Sequence, residues 1–231
     1  MNHRVKGDDH DEDIQLFLGE GLKDVSKKGV IHVGAHVGEE VQHYLDHGFE
    51  NIILIEANPD SVEILQSRFA DLPNILIFGV AIANTTGGTI NLNVHTSRSG
   101  STEPASILAM ARFTEIVPTL TTAKTVKVPV FRLDDLLEQH LIPLNDYNLI
   151  TLDIQGAEML ALQGAMKTLE MMDAILTEVD LVELYEGSPS EREVVEFAES
   201  MGFKRVQSIF HELYDADSSF PAWGDILFVK D

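Results

Sequence analysis

A doubly wound α/β fold on a mostly parallel sheet is what this sequence predicts, on three observations. Short apolar runs alternate with segments whose apolar residues recur every three to four positions. Glycine or proline marks most junctions between them. The last two apolar runs follow one another with no helical segment between, which predicts an antiparallel hairpin at the sheet edge.

The elements follow in order. Ile14, Leu16, Phe17 and Leu18 suggest a short leading helix. Gly29–Val33 reads as a buried strand. Val41, Tyr44 and Leu45 then share a helix face that Gly48 closes. Ile52–Ile55 is a second strand, and Asn58 before Pro59 is a helix start with an N-cap and proline at the first helical position. Val62, Leu65, Phe69 and Leu72 continue that helix, and Ile75–Phe78 is a third strand. Thr89–Val94 and Thr125–Phe131 are β-like. The Ser/Thr-rich stretch between them, 95–124, is too long for an ordinary connection. Either it holds a short helix over Ser106–Phe113, or it is a lid or acceptor loop; a lid that orders over ligand is the expectation.

Leu133, Leu136 and Leu137 mark a helix with Asp134 and Asp135 in its first turn. Tyr147–Leu152 is the fourth strand, followed by a helix with Ala157, Leu160, Ala161 and Gly164 on one face. Ala174–Val179 is the fifth. Ser188-Pro189-Ser190-Glu191 has the spacing of a capping box at the head of a helix that Gly202 ends. Lys204–Ile209 and Asp225–Val229 complete the sheet. The 231 residues suffice for one domain over 14–231, preceded by an acidic, flexible tail over 1–13.

Composition narrows the function. The formal charge of −22 disfavours nucleic acid and anionic membranes as partners. With no cysteine, disulfides, thiolate metal sites and a cysteine nucleophile are excluded. No apolar run is long enough to span a bilayer and the first residues carry no secretory pattern, so a cytoplasmic location is expected.

The strand–loop Val30–Glu39 carries two glycines four apart, Gly34 and Gly38, where a strand turns sharply into a helix. Glu56 ends the next strand about twenty residues on, where an acid can accept both hydroxyls of a ribose. This combination points to a nucleotide-type cofactor. The nicotinamide fingerprint G-x-G-x-x-G is absent, with His36 where its middle glycine would stand, and there is no phosphate loop. S-adenosyl-L-methionine, which has no phosphate, fits better. A nicotinamide-dependent oxidoreductase and a non-catalytic cofactor-binding module are the alternatives.

Five segments resemble the FkbM-type methyltransferases: VIHVGAHVGEE at 30–40, IEANPDSVEIL at 55–65, ITLDIQGAEMLALQGA at 150–165, EVDLVELYEG at 178–187 and GDILFVKD at 224–231. The most specific is Asp153-x-x-Gly156-x-Glu158. The resemblance implies the seven-stranded class I methyltransferase sheet, S-adenosyl-L-methionine as donor, and a small-molecule or glycan hydroxyl as acceptor. The chain departs from many relatives at His32, where they carry an acid.

The candidate cofactor-binding residues are Gly34, Ala35, His36, Gly38, Glu56, Ala57, Asn58, Val80, Ala81 and Asp153. The candidate catalytic residues are Asp153, as the base that takes the acceptor's proton, and Glu178 beside it. Helix capping remains the alternative role for Asp153 and Asn58. Glu158 reads as a group holding Asp153 or its loop. Asp153, Glu178 and His211 are chemically able to bind a divalent metal, though their spacing does not require one. Trp223 either stacks on an acceptor sugar or packs under the last strand.

Overall fold

A computed structural model describes residues 10–96, 102–112, 121–215 and 218–230. Its central sheet has seven strands. In chain order they are β1 (Gly29–Val33), β2 (Asn51–Glu56), β3 (Ile75–Gly79), β8 (Leu149–Leu152), β9 (Ala174–Asp180), β10 (Phe203–Asp215) and β11 (Ser218–Lys230). The spatial order is β10-β11-β9-β8-β1-β2-β3. β1, β2, β3, β8 and β9 pair in parallel, and β11 runs antiparallel to both β9 and β10. The expected hairpin edge is therefore present.

The sequence alternation within a strand divides the core into two layers. Ile53 and Ile55 of β2 join one cluster and Ile52 and Leu54 the other. Both faces must be covered, since all five residues of β1 are buried. One layer is supplied by α1 (His10–Leu16), the π-helical turn Phe17–Gly21, α2 (Val41–Asp46) and α3 (Pro59–Arg68). The other comes from α4 (Leu133–Gln139), α5 (Glu158–Gln163), α6 (Met166–Met171) and α7 (Glu191–Ser200). Among the described residues no helix is long and apolar enough to cross a membrane.

β1 lies in the middle, with β2 and β3 to one side and β8 and β9 to the other. The direction of winding reverses between β1 and β8. At such a point the loops leaving the carboxyl ends diverge and open a crevice.

Three local expectations need correction. The stretch 95–124 is largely sheet where it is described. β5 (Thr89–Thr96), β6 (Thr102–Ser106) and β7 (Thr121–Phe131) join β4 (Ala81–Ile82) in a second, four-stranded sheet. Over 106–112 there is no helix, because the backbone pairs elsewhere. Ser106 Oγ accepts from Leu108 N, and Ala111 N donates to Leu184 O. Phe113 lies outside the described residues. The capping box is formed by Ser190 and Glu193, two residues beyond the Ser188–Glu191 pair that shares its spacing; Ser190 is held there by a bridge to Asp180. The acidic run enters α1 at His10, while 1–9 lie outside the described residues. Asp13 there approaches His211 Nε2 at 3.6 Å.

Gly164 shows how closely α5 is seated. A Cβ there would stand 2.2 Å from the carbonyl oxygen of Ala83. Gly164→Ala is expected to destabilise the fold by about 1–3 kcal/mol through overpacking, read as a lower urea midpoint at unchanged slope. A midpoint equal to wild type would contradict that close seating.

Candidate active site

The crevice is a cavity of about 540 Å³ that runs across the carboxyl ends of β2, β1, β8 and β9. The second sheet borders it through Leu92, Ala105 and Ile107.

The loop after β1 forms one wall. Gly34 N and Ala35 N both donate to Ile55 O, at 2.8 and 3.1 Å, which straps the loop to β2. Gly34 has φ +93°, and a Cβ on it would fall 1.7 Å from Asp153 O. The residue must be glycine for the loop to cross the tip of β8. Gly38 has another reason: its Cβ would meet the Phe69 ring at 2.6 Å. Gly38 and the buried Ala35 do not line the cavity, whereas Gly34, His36, Glu56, Ala57, Asn58, Val80, Ala81, Asp153 and Glu178 do.

Glu56 is held by two backbone donors. His36 N reaches Oε2 at 2.8 Å and Asn58 N reaches Oε1 at 2.6 Å. Its burial raises the carboxyl's pKa, and these donors work against that rise by favouring the charged form. His36 adopts φ +44° to present its N–H, an uncommon conformation for a non-glycine residue. Its ring pairs with Glu39, which raises the imidazole's pKa. Asn58 does cap α3, accepting from Asp60 N at 3.2 Å, and it borders the cavity as well.

His32 is not on the wall. It is buried, with Nδ1 3.2 Å from Tyr44 Oη, whose other neighbour is Thr151 Oγ1 at 3.3 Å. Glu40, which does line the cavity, lies 4.0 Å from His32 Nδ1.

At the opposite end Asp153 and Glu178 meet across Gln155. The Gln155 amide Nε2 donates to Asp153 Oδ1 at 2.7 Å and to Glu178 Oε2 at 3.0 Å. Burial raises the pKa of both carboxyls; Glu178 is pushed up further by Asp153, Glu158, Asp225 and Asp180. Glu158 clasps the loop, with Oε1 accepting from Ile154 N at 2.9 Å and Gly156 N at 3.2 Å. Its burial raises the carboxyl to about 8.

Asp225, His211 and Trp223 complete this end. Asp225 is the cross-strand partner of Glu178, and the His211 ring lies against Trp223 with centroids 5.8 Å apart. Trp223 thus both packs on β10 and borders the cavity. Among the described residues no group of three His, Asp or Glu is arranged to hold a metal ion. Sequence reading missed Gln155, Asp225 and the apolar border from the second sheet. The position of Gln155 inside the Asp-x-x-Gly-x-Glu segment was the one available signal.

Comparison with known proteins gives a consistent fold. Residues 32–205 match the model of the methyltransferase FkbM domain. No curated protein matches the chain. Among solved structures it resembles the N-methyltransferase NodS from Bradyrhizobium japonicum WM9, at 9% identity and TM-score 0.54, covering 97% of this chain and 99% of that one. Magnesium protoporphyrin IX methyltransferase (ChlM) from Synechocystis PCC 6803, solved with bound SAM, gives 10% identity and TM-score 0.51 over 96% and 80%. Precorrin-6y C5,15-methyltransferase from Geobacter metallireducens GS-15 gives 10% and 0.51 over 99% and 92%. These likenesses establish the class I methyltransferase fold.

The raised carboxyl of Glu158 has a signed consequence. Between the ordinary carboxylate range and about 8, the folded chain holds a proton that the unfolded chain has released. Stability therefore falls as pH rises through that window. Glu158→Gln keeps an acceptor oxygen for both N–H groups and should make the fall in urea midpoint between pH 5 and pH 8 shallower. Glu158→Ala leaves both donors unpaired and should cost about 1–3 kcal/mol. An unchanged pH dependence in the Gln variant would contradict this assignment.

Proposed function

The chain belongs to the methyltransferase FkbM family, and from that premise we propose that it moves the methyl group of S-adenosyl-L-methionine to a hydroxyl oxygen of an uncharged small molecule or glycan. The observation that carries this reading is one continuous cavity with the Glu56 carboxylate at one end and the Asp153–Glu178 pair at the other.

The residues present fit the cofactor. Each oxygen of Glu56 accepts one backbone N–H and keeps a lone pair for a ribose hydroxyl. Val80, Ala81, Ile82 and Leu92 offer an apolar slot for the adenine. Ala57 and Asn58 border the sugar, while Gly34 and His36 border the amino-acid part. His36 Nε2 is a buried polar atom with no hydrogen-bond partner among the described residues, as expected beside a polar ligand.

When bound, the cofactor supplies an electrophilic methyl on a sulfonium, which departs as a neutral thioether once the carbon–sulfur pair returns to sulfur. Asp153 accepts the acceptor's hydroxyl proton as the oxygen–methyl bond forms, so no charge is stranded on the alkoxide. Much of the remaining barrier is lowered by holding acceptor and donor in line between two rigid strand tips.

Glu39, Glu40, Glu56, Asp153, Glu178 and Asp225 line the cavity, and none of the described lining residues is Lys or Arg. A phosphate or carboxylate on the acceptor would meet like charge in a partly desolvated space. This supports a neutral acceptor and argues against nucleic acid, whose binding relies on cationic side chains.

Because burial raises the Asp153 carboxyl, its ionised fraction grows only above the usual carboxylate range. Methyl transfer should therefore rise with pH from acid toward neutral. Tritiated S-adenosyl-L-methionine incubated with a panel of neutral glycans and hydroxylated metabolites tests the reading. Asp153→Asn should bind S-adenosylhomocysteine within a few-fold of wild type and lose transfer by about 10²-fold or more. Tight binding of NAD in place of S-adenosylhomocysteine would overturn the assignment.

A further inference from the structure

Gln155 lines the same cavity, yet methyl transfer with Asp153 as base makes no direct use of its amide. We propose that Gln155 is a positioning residue that divides the acid pair, holding Asp153 as the ionised proton acceptor and leaving the pair's proton on Glu178. This rests on the methyltransferase reading of the same cavity and assigns the two carboxyls opposite states within it.

The geometry carries the argument. An amide nitrogen has two hydrogens, and both are committed here, one to Asp153 Oδ1 at 2.7 Å and one to Glu178 Oε2 at 3.0 Å. Two carboxyls drawn onto one nitrogen cannot both ionise cheaply, so one proton stays with the pair. The shorter bond goes to Asp153, and charge-assisted bonds are the shorter and stronger ones. Glu178 faces the carboxyls of Asp180, Glu158 and Asp225, which oppose a charge on it. Asp153 has the imidazole of His32 as a favourable neighbour, against Glu40 and Asp225 as unfavourable ones. The proton therefore belongs on Glu178.

The orientation of the amide is itself fixed. Tyr185 Oη donates to Gln155 Oε1 at 2.9 Å, which directs the oxygen to the tyrosine and the nitrogen to the acids. Ser106 Oγ donates to the Gln155 backbone oxygen at 2.7 Å. Ser106 ends β6, so the second sheet braces this residue from outside the central fold. Gln155 has φ +57°, the left-handed region that a non-glycine residue enters at a cost. The neighbouring Gly156 is also left-handed, at φ +90°, where a side chain is strained, and a Cβ there would press on Tyr185 and Ser188 at 3.0 Å. The strained backbone thus places the amide where it reaches both acids and the phenol.

The test needs no acceptor. Carboxyl-carbon NMR on the full chain, with resonances assigned by Asp153→Asn and Glu178→Gln, follows both groups through a pH titration. In wild type Asp153 should titrate below Glu178. Gln155→Met keeps the length and removes the donors; it should raise the Asp153 midpoint by about one unit, a tenfold change in its proton affinity. Tyr185→Phe frees the amide to turn and should move Asp153 in the same direction by less. Should the Met variant fail to fold, Gln155→Glu takes its place; it keeps the shape, adds a like charge, and should raise Asp153 as well. An Asp153 midpoint within 0.3 unit of wild type in the folded variant, on the order of twofold in proton affinity, overturns the proposal. So does a wild-type Glu178 that loses its proton first. Calorimetry with S-adenosylhomocysteine on wild type reads the underlying function separately: no binding there would fail the methyltransferase reading, whatever the carboxyl titrations show.

Discussion

The crossing of the first loop over the tip of β8 is the constraint on which the site depends. Gly34 has no side chain because the Asp153 carbonyl occupies the place where a Cβ would stand, 1.7 Å away. That contact brings two otherwise separate pieces of chemistry to one cavity. On one side the loop presents the His36 N–H to Glu56. On the other the chain leaving β8 carries Asp153, Gln155 and Glu158 within one turn. The two strands that meet there are those between which the winding of the sheet reverses. Topology thus fixes where the cavity is, and a single missing methyl lets its walls come together.

The electrostatics follow from how the acids are satisfied. Burying a carboxylate without compensation costs several kcal/mol. This cavity answers with neutral donors, since no Lys or Arg is among its described lining residues. Glu56 and Glu158 each use two backbone N–H groups, and Asp153 and Glu178 share one side-chain amide. Such donors hold orientation well but do not cancel charge, so burial wins and all four carboxyls shift upward. The result is a set of groups that keep protons longer than surface acids do, which suits proton transfer near neutrality.

The central sheet was legible because its strands are short apolar runs bounded by punctuation, and its helices repeat every three to four residues. That Glu56 ends the second strand was legible from the apolar run before it, and the structure places it on the cavity. The second sheet was not. Its strands pair over long sequence distances and its Ser/Thr-rich connection carries no periodic signal, so β5 and β7 were seen as fragments and the part between them as a lid. The helix start at Ser190 was misplaced because Ser188 satisfies the same spacing rule; only the bridge to Asp180 decides between them. Gly38 was read as a ligand contact, whereas its smallness is required by Phe69. Gln155 was passed over because a left-handed glutamine has no sequence signature. Its contacts with Asp153, Glu178 and Tyr185 are ones that only the fold brings together.

A structure of the protein with S-adenosylhomocysteine tests the central claim most directly. The account predicts both ribose hydroxyls within hydrogen-bond distance of Glu56, with the sulfur directed toward Asp153. A nucleoside bound elsewhere, with Glu56 left to its two backbone donors, would contradict it.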